Sequence, residues 1–154
     1  MDNVHSHAWD ETLHMQPSTI REAEVARGFP LSLTVDREVF LADNAMFART
    51  VVFGMKARLA GFWVPDEYIA EFVAAAPERL IGFASCDPTQ PGYMEELRAG
   101  IEGLGLAGVK LGPMYAGFAP RDERCTPVYA YCQERGLPVL FHSGTTFIRA
   151  APLG

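Results

Sequence analysis

From residue 50 onward, short apolar runs alternate with longer stretches in which apolar positions recur every three to four residues. The short runs, bounded by glycine, proline or charged residues, predict strands at residues 50–54, 80–85, 108–111 and 138–142. The longer stretches between them predict helices. This alternation is typical of an α/β fold with a parallel sheet and right-handed crossovers, which is either doubly wound or closes into a barrel.

Turn residues mark the ends of the helical stretches. Pro65 precedes the first and Pro77 ends it, since proline cannot continue a helix. Gly92 precedes the second, and Gly136 follows the third. The first fifty residues are less regular. The predicted helices cover residues 65–77, 92–104 and 126–136, and, in the less regular part, 18–28 and 36–43.

The composition indicates one folded domain whose partner is a small molecule. The chain has 154 residues, 49% of them hydrophobic, with 13 basic against 19 acidic side chains and no basic run. This balance argues against binding to nucleic acid or to an anionic membrane. Without a membrane-spanning apolar stretch or a signal-peptide pattern, the expected location is cytoplasmic. Three cysteines at unrelated spacings indicate neither a disulfide framework nor a metal-binding cysteine motif.

Three histidines stand where a parallel sheet presents its functional groups. His5 and His7 are two residues apart, so on a short strand both side chains project from one face and can reach one metal ion. His142 stands at the carboxyl end of the last predicted strand. Three such imidazoles predict an incomplete shell around zinc or a similar divalent ion, with a position left open for water. His14 lies in a predicted loop and receives no role.

The carboxyl ends of the predicted strands carry neither of the common glycine-rich phosphate-binding loops. A doubly wound, flavodoxin-like sheet suits five strands and stays open as an architecture, although nothing in the sequence would hold a phosphate or a flavin. The length falls short of the roughly 250 residues of a complete (β/α)8 barrel.

Four short segments, taken together, carry a family resemblance. They are VHSH at residues 4–7, PERLIGFA at 77–84, GVKLGP at 108–113 and GLPVLFHSG at 136–144. They resemble the amidohydrolase superfamily, specifically the amidohydrolase-related group that includes aminocarboxymuconate-semialdehyde decarboxylases. The resemblance implies a (β/α)8 TIM barrel of the metal-dependent hydrolase type, of which residues 1–154 form a single, partial domain with about the first five strands.

The same resemblance implies a set of metal ligands. His5 and His7 would be the ligands of the first strand, and His142 the ligand of the fifth. The family also has a histidine on the sixth strand and an aspartate on the eighth. Both are expected beyond Gly154, so the chain is expected to be the N-terminal part of the barrel, and the catalytic base is also expected beyond Gly154.

Lys110 and Trp9 are the candidate substrate-binding residues. Some relatives in the superfamily use a carbamylated lysine on the fourth strand to bridge two metal ions, and Lys110 lies on the predicted fourth strand. In the group that this chain resembles, the position looks more like a lysine on the substrate side or a structural one. One divalent ion, with zinc expected, is therefore favoured over two. Trp9 follows the His5 and His7 pair closely enough to line the pocket.

The expected function is that of a metal-dependent hydrolase, in which metal-activated water attacks a C–N or C–O bond of a small molecule. Metal-dependent, non-oxidative decarboxylation is the alternative, because the resembling family uses the same ligands for both reactions. A further alternative is a catalytically incomplete half-barrel whose open strand edges pair with a second copy of the chain.

Overall fold

The computed structural model describes residues 1–144, 146 and 148. The strands are β1 (Asn3–His7), β2 (Thr50–Phe53), β3 (Lys56–Ala57), β4 (Phe62–Trp63), β5 (Leu80–Cys86), β6 (Val109–Leu111) and β7 (Val139–Phe141). The α-helices are α1 (Glu11–His14), α2 (Pro17–Arg27), α3 (Arg37–Asp43), α4 (Asp66–Val73), α5 (Tyr93–Arg98), α6 (Pro113–Ala116) and α7 (Thr126–Arg135). A π-helical turn at Ala99–Gly103 follows α5, and a 3-10 turn at Glu123–Cys125 precedes α7.

Five strands form one parallel sheet in the order β1-β2-β5-β6-β7. Each strand pairs with the next sheet strand along the chain; Thr50 lies opposite Leu80, for example, and Lys110 opposite Leu140. A doubly wound sheet reverses its strand order at a switch point, and this sheet does not, so the flavodoxin-like alternative is wrong. The order is that of the first five strands of a (β/α)8 barrel, which confirms the predicted partial barrel.

Helices α4, α5 and α7 supply fully buried side chains to the core. Ile69, Leu97 and Val128, one from each helix, join Val52 and Val109 of the sheet in a single apolar cluster. These helices match three of the predicted helical segments. The segments predicted at 18–28 and 36–43 correspond to α2 and α3.

The second of the predicted crossover helices is shorter than its apolar stripe suggests. The α-helix ends at Arg98 and the chain continues as a π-helical turn to Gly103, so the predicted segment is helical but only its first part is α-helix. Gly100, in this turn, approaches the carboxylate of Asp66 so closely that a Cβ would stand 2.8 Å from Asp66 Oδ2. The wider turn passes a buried carboxylate from another element, a contact that the periodicity of the segment does not encode.

Two short elements at the carboxyl edge of the sheet escape the sequence pattern. One is the antiparallel hairpin of β3 and β4. The other is α1, so the prediction of a loop around His14 is wrong. Asp10 caps this helix, and the backbone N–H of Asp10 donates a hydrogen bond to Nδ1 of the buried His14 over 2.9 Å. Elements of two to four residues are too short to show a hydrophobic period.

The outer strands of the sheet are β1 and β7, each with one strand neighbour among the residues described. Such edges expose unpaired backbone groups that a further strand can pair with. Pairing with a second copy of the chain stays a prediction. None of the described helices is long and apolar enough to cross a membrane.

Candidate metal centre

Phe53 of β2 gathers the side chains that the sequence analysis singles out. It lies opposite His7 in the sheet register, and residues in register on parallel strands point to the same face. The Phe53 ring centroid is 5.1 Å from that of His5 and 4.7 Å from that of His7. Nζ of Lys110 lies 4.5 Å from the centre of the same ring. The sheet thus brings His5, His7 and Lys110 together around one phenyl ring.

His142 stands directly after β7, on the far side of Lys110. Its backbone N–H donates to the carbonyl of Leu111 over 2.8 Å, which extends the pairing of β6 with β7 by one residue. Burial lowers the pKa of His142, and the charges of Lys110 and His5 lower it further. The imidazole is therefore within electrostatic reach of the groups around Phe53.

Three nitrogens in this region are buried and have no hydrogen-bond partner within the described part of the chain: His7 Nδ1, Lys110 Nζ and His142 Nε2. A buried polar atom left unpaired costs about 1–3 kcal/mol, so native proteins avoid it unless a ligand or a function requires it. Imidazole nitrogens are common ligands of zinc and other transition metals. The donor chemistry of His7 and His142 therefore fits a metal ion.

The protonation states of His7 and Lys110 also suit a ligand site. Burial, assisted by the charges of Lys110, His5 and His142, lowers the pKa of His7 to about 3. His7 is thus neutral at physiological pH, the form in which imidazole binds a metal ion. Burial alone lowers the pKa of Lys110 from 10.5 to about 8. Lys110 therefore exchanges its proton close to neutral pH.

The ligand assignment itself stays a prediction. The rings of His5 and His7 approach to 5.4 Å between centroids. Across residues 1–144, 146 and 148, however, no three His, Cys, Asp or Glu side chains are arranged to hold a metal ion. Within this part of the chain, the structure thus brings the predicted ligands into one region but not into the arrangement of a complete metal site.

Five rings follow one another from one predicted ligand to the other, and we call them the aromatic arc: His7, Trp9, Phe62, Tyr115 and His142. Successive ring centroids are 4.4, 5.9, 5.6 and 4.5 Å apart. Trp9, singled out from the sequence, stacks on His7, and its contact with substrate stays a prediction. Phe62 and Tyr115 escape sequence reasoning because they lie in β4 and α6, which have no hydrophobic period.

A buried ion pair lies beside the hairpin, and sequence reasoning misses it as well. Nζ of Lys56 is 2.8 Å from Oδ2 of Asp66 and 3.2 Å from Oε2 of Glu96. The other oxygen of Asp66 accepts a hydrogen bond from the backbone N–H of Ser85 over 3.0 Å. Since the ammonium and both carboxylate oxygens have partners, we interpret this cluster as a structural link between the hairpin, α4 and β5.

Comparison with known sequences supports the family resemblance. The amidohydrolase family profile matches residues 3–153. The 2-amino-3-carboxymuconate-6-semialdehyde decarboxylase of Dictyostelium discoideum is 33% identical over 79 residues, which are 50% of this chain and 22% of that protein.

Solved structures share the fold at low sequence identity. A TIM-barrel protein of Bordetella bronchiseptica superposes with a TM-score of 0.66 at 18% identity, over 99% of this chain and 58% of its own. The 5-carboxyvanillate decarboxylase of Novosphingobium aromaticivorans, solved with bound manganese, superposes with a TM-score of 0.63 at 15% identity, over 94% of this chain and 51% of its own. This chain therefore spans little more than half the length of these solved structures. With its profile match and its strand order, the chain belongs to the amidohydrolase family.

Proposed function

We propose that this chain supplies the metal-binding half of a (β/α)8 decarboxylase that acts on a planar, unsaturated carboxylate. The observation that carries the proposal is the set of buried nitrogens on His7, Lys110 and His142 that have no hydrogen-bond partner among the described residues, at the two ends of the aromatic arc and beside it. Relatives lend support, since the curated match and one of the two solved structures above are decarboxylases, and the latter bound manganese.

His5, His7 and His142 would hold one divalent ion through imidazole nitrogens. When bound, such an ion supplies Lewis acidity toward the oxygen atoms of the substrate. Burial keeps His7 neutral and prepares it as a ligand without the loss of a proton. Zinc and manganese are the ions to test, zinc because imidazole suits it and manganese because a relative binds it.

Lys110 would bind the carboxylate of the substrate. Its ammonium is fully buried and has no hydrogen-bond partner among the described residues. A carboxylate within hydrogen-bond distance favours the charged form of lysine and raises its pKa from about 8 toward the ordinary value of 10.5. Lys110 would therefore select an anionic substrate, because its positive charge pairs with the negative charge of the carboxylate.

Trp9, Phe62 and Tyr115 would form an apolar aromatic wall for the rest of the substrate. Aromatic side chains pack against planar rings in stacked or edge-on arrangements and exclude water from them. In the reaction, the bond between the carboxyl carbon and the unsaturated carbon breaks, the electron pair stays on the latter, and a proton replaces the carbon dioxide that leaves. None of the residues assigned here donates that proton.

Hydrolysis is the second candidate, and membership of the amidohydrolase family favours it. The same imidazoles and the same ion would then serve to activate water toward a C–N or C–O bond. The two candidates differ in their products, because only decarboxylation releases carbon dioxide.

The test measures how the full chain, loaded with Zn²⁺ or Mn²⁺, binds hydroxylated benzoates and, separately, neutral amides and esters. We expect the benzoates to bind only with metal present, and the affinity to fall at least about 10-fold in His142→Ala. His14→Ala, a histidine change outside the site, is the matched control and is expected to keep the affinity. Binding of amides or esters but not of benzoates would favour the hydrolase, and binding of neither set would refute the proposal.

A further inference from the structure

We infer that Phe62 is a positioning residue that holds the imidazoles of His7 and His142 in place through Trp9 and Tyr115. The metal-binding role of these imidazoles rests on the proposed function. Their orientation by ring packing does not, because it concerns contacts within the chain itself.

The imidazoles of His7 and His142 pack against other rings. Besides the metal, a metal-binding ring normally has a further contact that fixes its orientation, most often a hydrogen bond from its other nitrogen. His7 stacks on Trp9 at 4.4 Å and 25°, and His142 packs against Tyr115 at 4.5 Å and 53°. His7 Nδ1 and His142 Nε2, which have no partner in the part of the chain that the structure describes, stay open for the ion. Ring packing therefore supplies a contact that can fix each imidazole.

Phe62 lies between the two rings that support the imidazoles. Its centroid is 5.9 Å from that of Trp9, with the ring planes at 26°, and 5.6 Å from that of Tyr115, with the planes at 73°. It thus stacks on one ring and meets the other edge on, both favourable aromatic geometries. Removing the Phe62 ring would leave a cavity beside Trp9 and Tyr115 at once, and each would be free to leave its imidazole.

The hairpin that carries Phe62 is a firm support. Its strand β4 also bridges to Met15, just after α1. The hydrogen bonds that fix the hairpin run from Lys56 N to Ser85 Oγ (2.8 Å), from Arg58 N to Asp87 Oδ2 (2.9 Å), from Ala60 N to Tyr115 O (3.0 Å) and from Gln16 N to Gly61 O (2.9 Å). Together with the ion pair of Lys56, they tie the hairpin to β5, to α6 and to the chain before α2.

The first test follows the imidazole resonances of the full chain by NMR, without added metal. Stacking on Trp9 shifts the ring protons of His7 upfield, and Trp9→Leu gives the reference in which this shift is lost. We expect Phe62→Ala to move the resonances of His7 toward that reference and to change those of His142. Phe72→Ala, the loss of another buried phenyl ring that packs on Phe40 outside the arc, is expected to leave both imidazoles unchanged.

The second test measures the affinity of the same proteins for Zn²⁺. Loss of groups that orient metal-binding histidines typically weakens metal binding about 10- to 100-fold, and we expect a change in that range for Phe62→Ala and none for Phe72→Ala. Should Phe62→Ala fail to fold, Phe62→Leu keeps most of the apolar volume without the flat ring. It is expected to shift the imidazole resonances in the same direction by a smaller amount.

The outcomes separate this inference from the proposed function. Unchanged His7 and His142 resonances in a folded Phe62 variant would overturn the inference, whatever the metal affinity. A wild-type chain that does not bind Zn²⁺ or Mn²⁺ would refute the proposed function, while the resonances would still decide the role of Phe62. Resonance changes of equal size in Phe72→Ala would reduce Phe62 to a general packing role and also overturn the inference.

Discussion

Replacement of Asp66 by alanine is expected to lower the free energy of unfolding by about 3–5 kcal/mol, because it leaves a buried ammonium without its closest counter-charge. Asp66 and Lys56 are 3% and 4% exposed and 2.8 Å apart. The change also removes the acceptor for the backbone N–H of Ser85. Glu96 still faces Lys56, but its side chain is about half exposed and screened by solvent. Chemical denaturation of the two proteins measures the difference.

Glu71→Ala is the matched control on the same helix. Glu71 lies 3.9 Å from Arg37, both side chains are exposed, and such pairs contribute at most about 1 kcal/mol. If Asp66→Ala lowers the free energy of unfolding by no more than Glu71→Ala does, the buried pair does not hold the hairpin, α4 and β5 together. The support of Phe62 would then have to come from the backbone hydrogen bonds alone.

Replacement of Lys110 by methionine is expected to raise the free energy of unfolding of the metal-free chain by roughly 1–3 kcal/mol at pH 7, whereas Asp66→Ala lowers it. Lys110 is fully buried without a hydrogen-bond partner among the described residues, and methionine fills a similar volume without a charge. Thermal unfolding of the two proteins at pH 7 gives the comparison. A gain in stability with loss of a functional group is typical of binding sites.

The gain in stability from Lys110→Met is expected to shrink as the pH rises. Burial lowers the pKa of Lys110 to about 8 in the folded chain, against an ordinary value of 10.5. Below pH 8 both states carry the charge, and the full cost of burying it is present. Between pH 8 and 10.5 the folded chain binds fewer protons than the unfolded chain, so wild-type stability rises relative to the variant and the difference disappears.

Lys56→Met is the natural control, since Lys56 and Lys110 are the two lysines of the chain and both are buried. Lys56 has partners, so its loss leaves the carboxylate of Asp66 buried without a counter-charge and is expected to destabilise the folded chain. Destabilisation by Lys110→Met at pH 7 would contradict an unpaired Lys110 and would indicate a counter-charge in the folded chain.

Much of the fold is accessible from sequence because the parallel strands lie in apolar runs and the crossover helices are long enough to show a period. β2, β5, β6 and β7 lie where apolar runs predict them. The choice of a barrel comes from the family resemblance and not from periodicity, which is the same for barrels and doubly wound sheets. Only the observed strand order decides between these architectures.

Some residues of the candidate site can be named from the sequence, and others are found only in the structure. His5, His7, His142 and Lys110 could be named from strand ends and from the resemblance, and the structure brings them into one region. Phe62, Tyr115 and the pair of Lys56 with Asp66 could not be found, because their contacts depend on short elements and on loops. One signal was present: each lysine of this lysine-poor chain is flanked by apolar residues, a context typical of buried positions.

Metal stoichiometry tests the metal centre most directly. The full chain, freed of metal by a chelator and dialysed, is titrated with Zn²⁺ and with Mn²⁺, and the bound ion is counted by mass spectrometry. We predict one ion per chain, lost in His7→Ala and in His142→Ala but kept in His14→Ala. Folded protein that binds no ion, or that keeps its ion in both His7→Ala and His142→Ala, would contradict the metal centre and with it the proposed function.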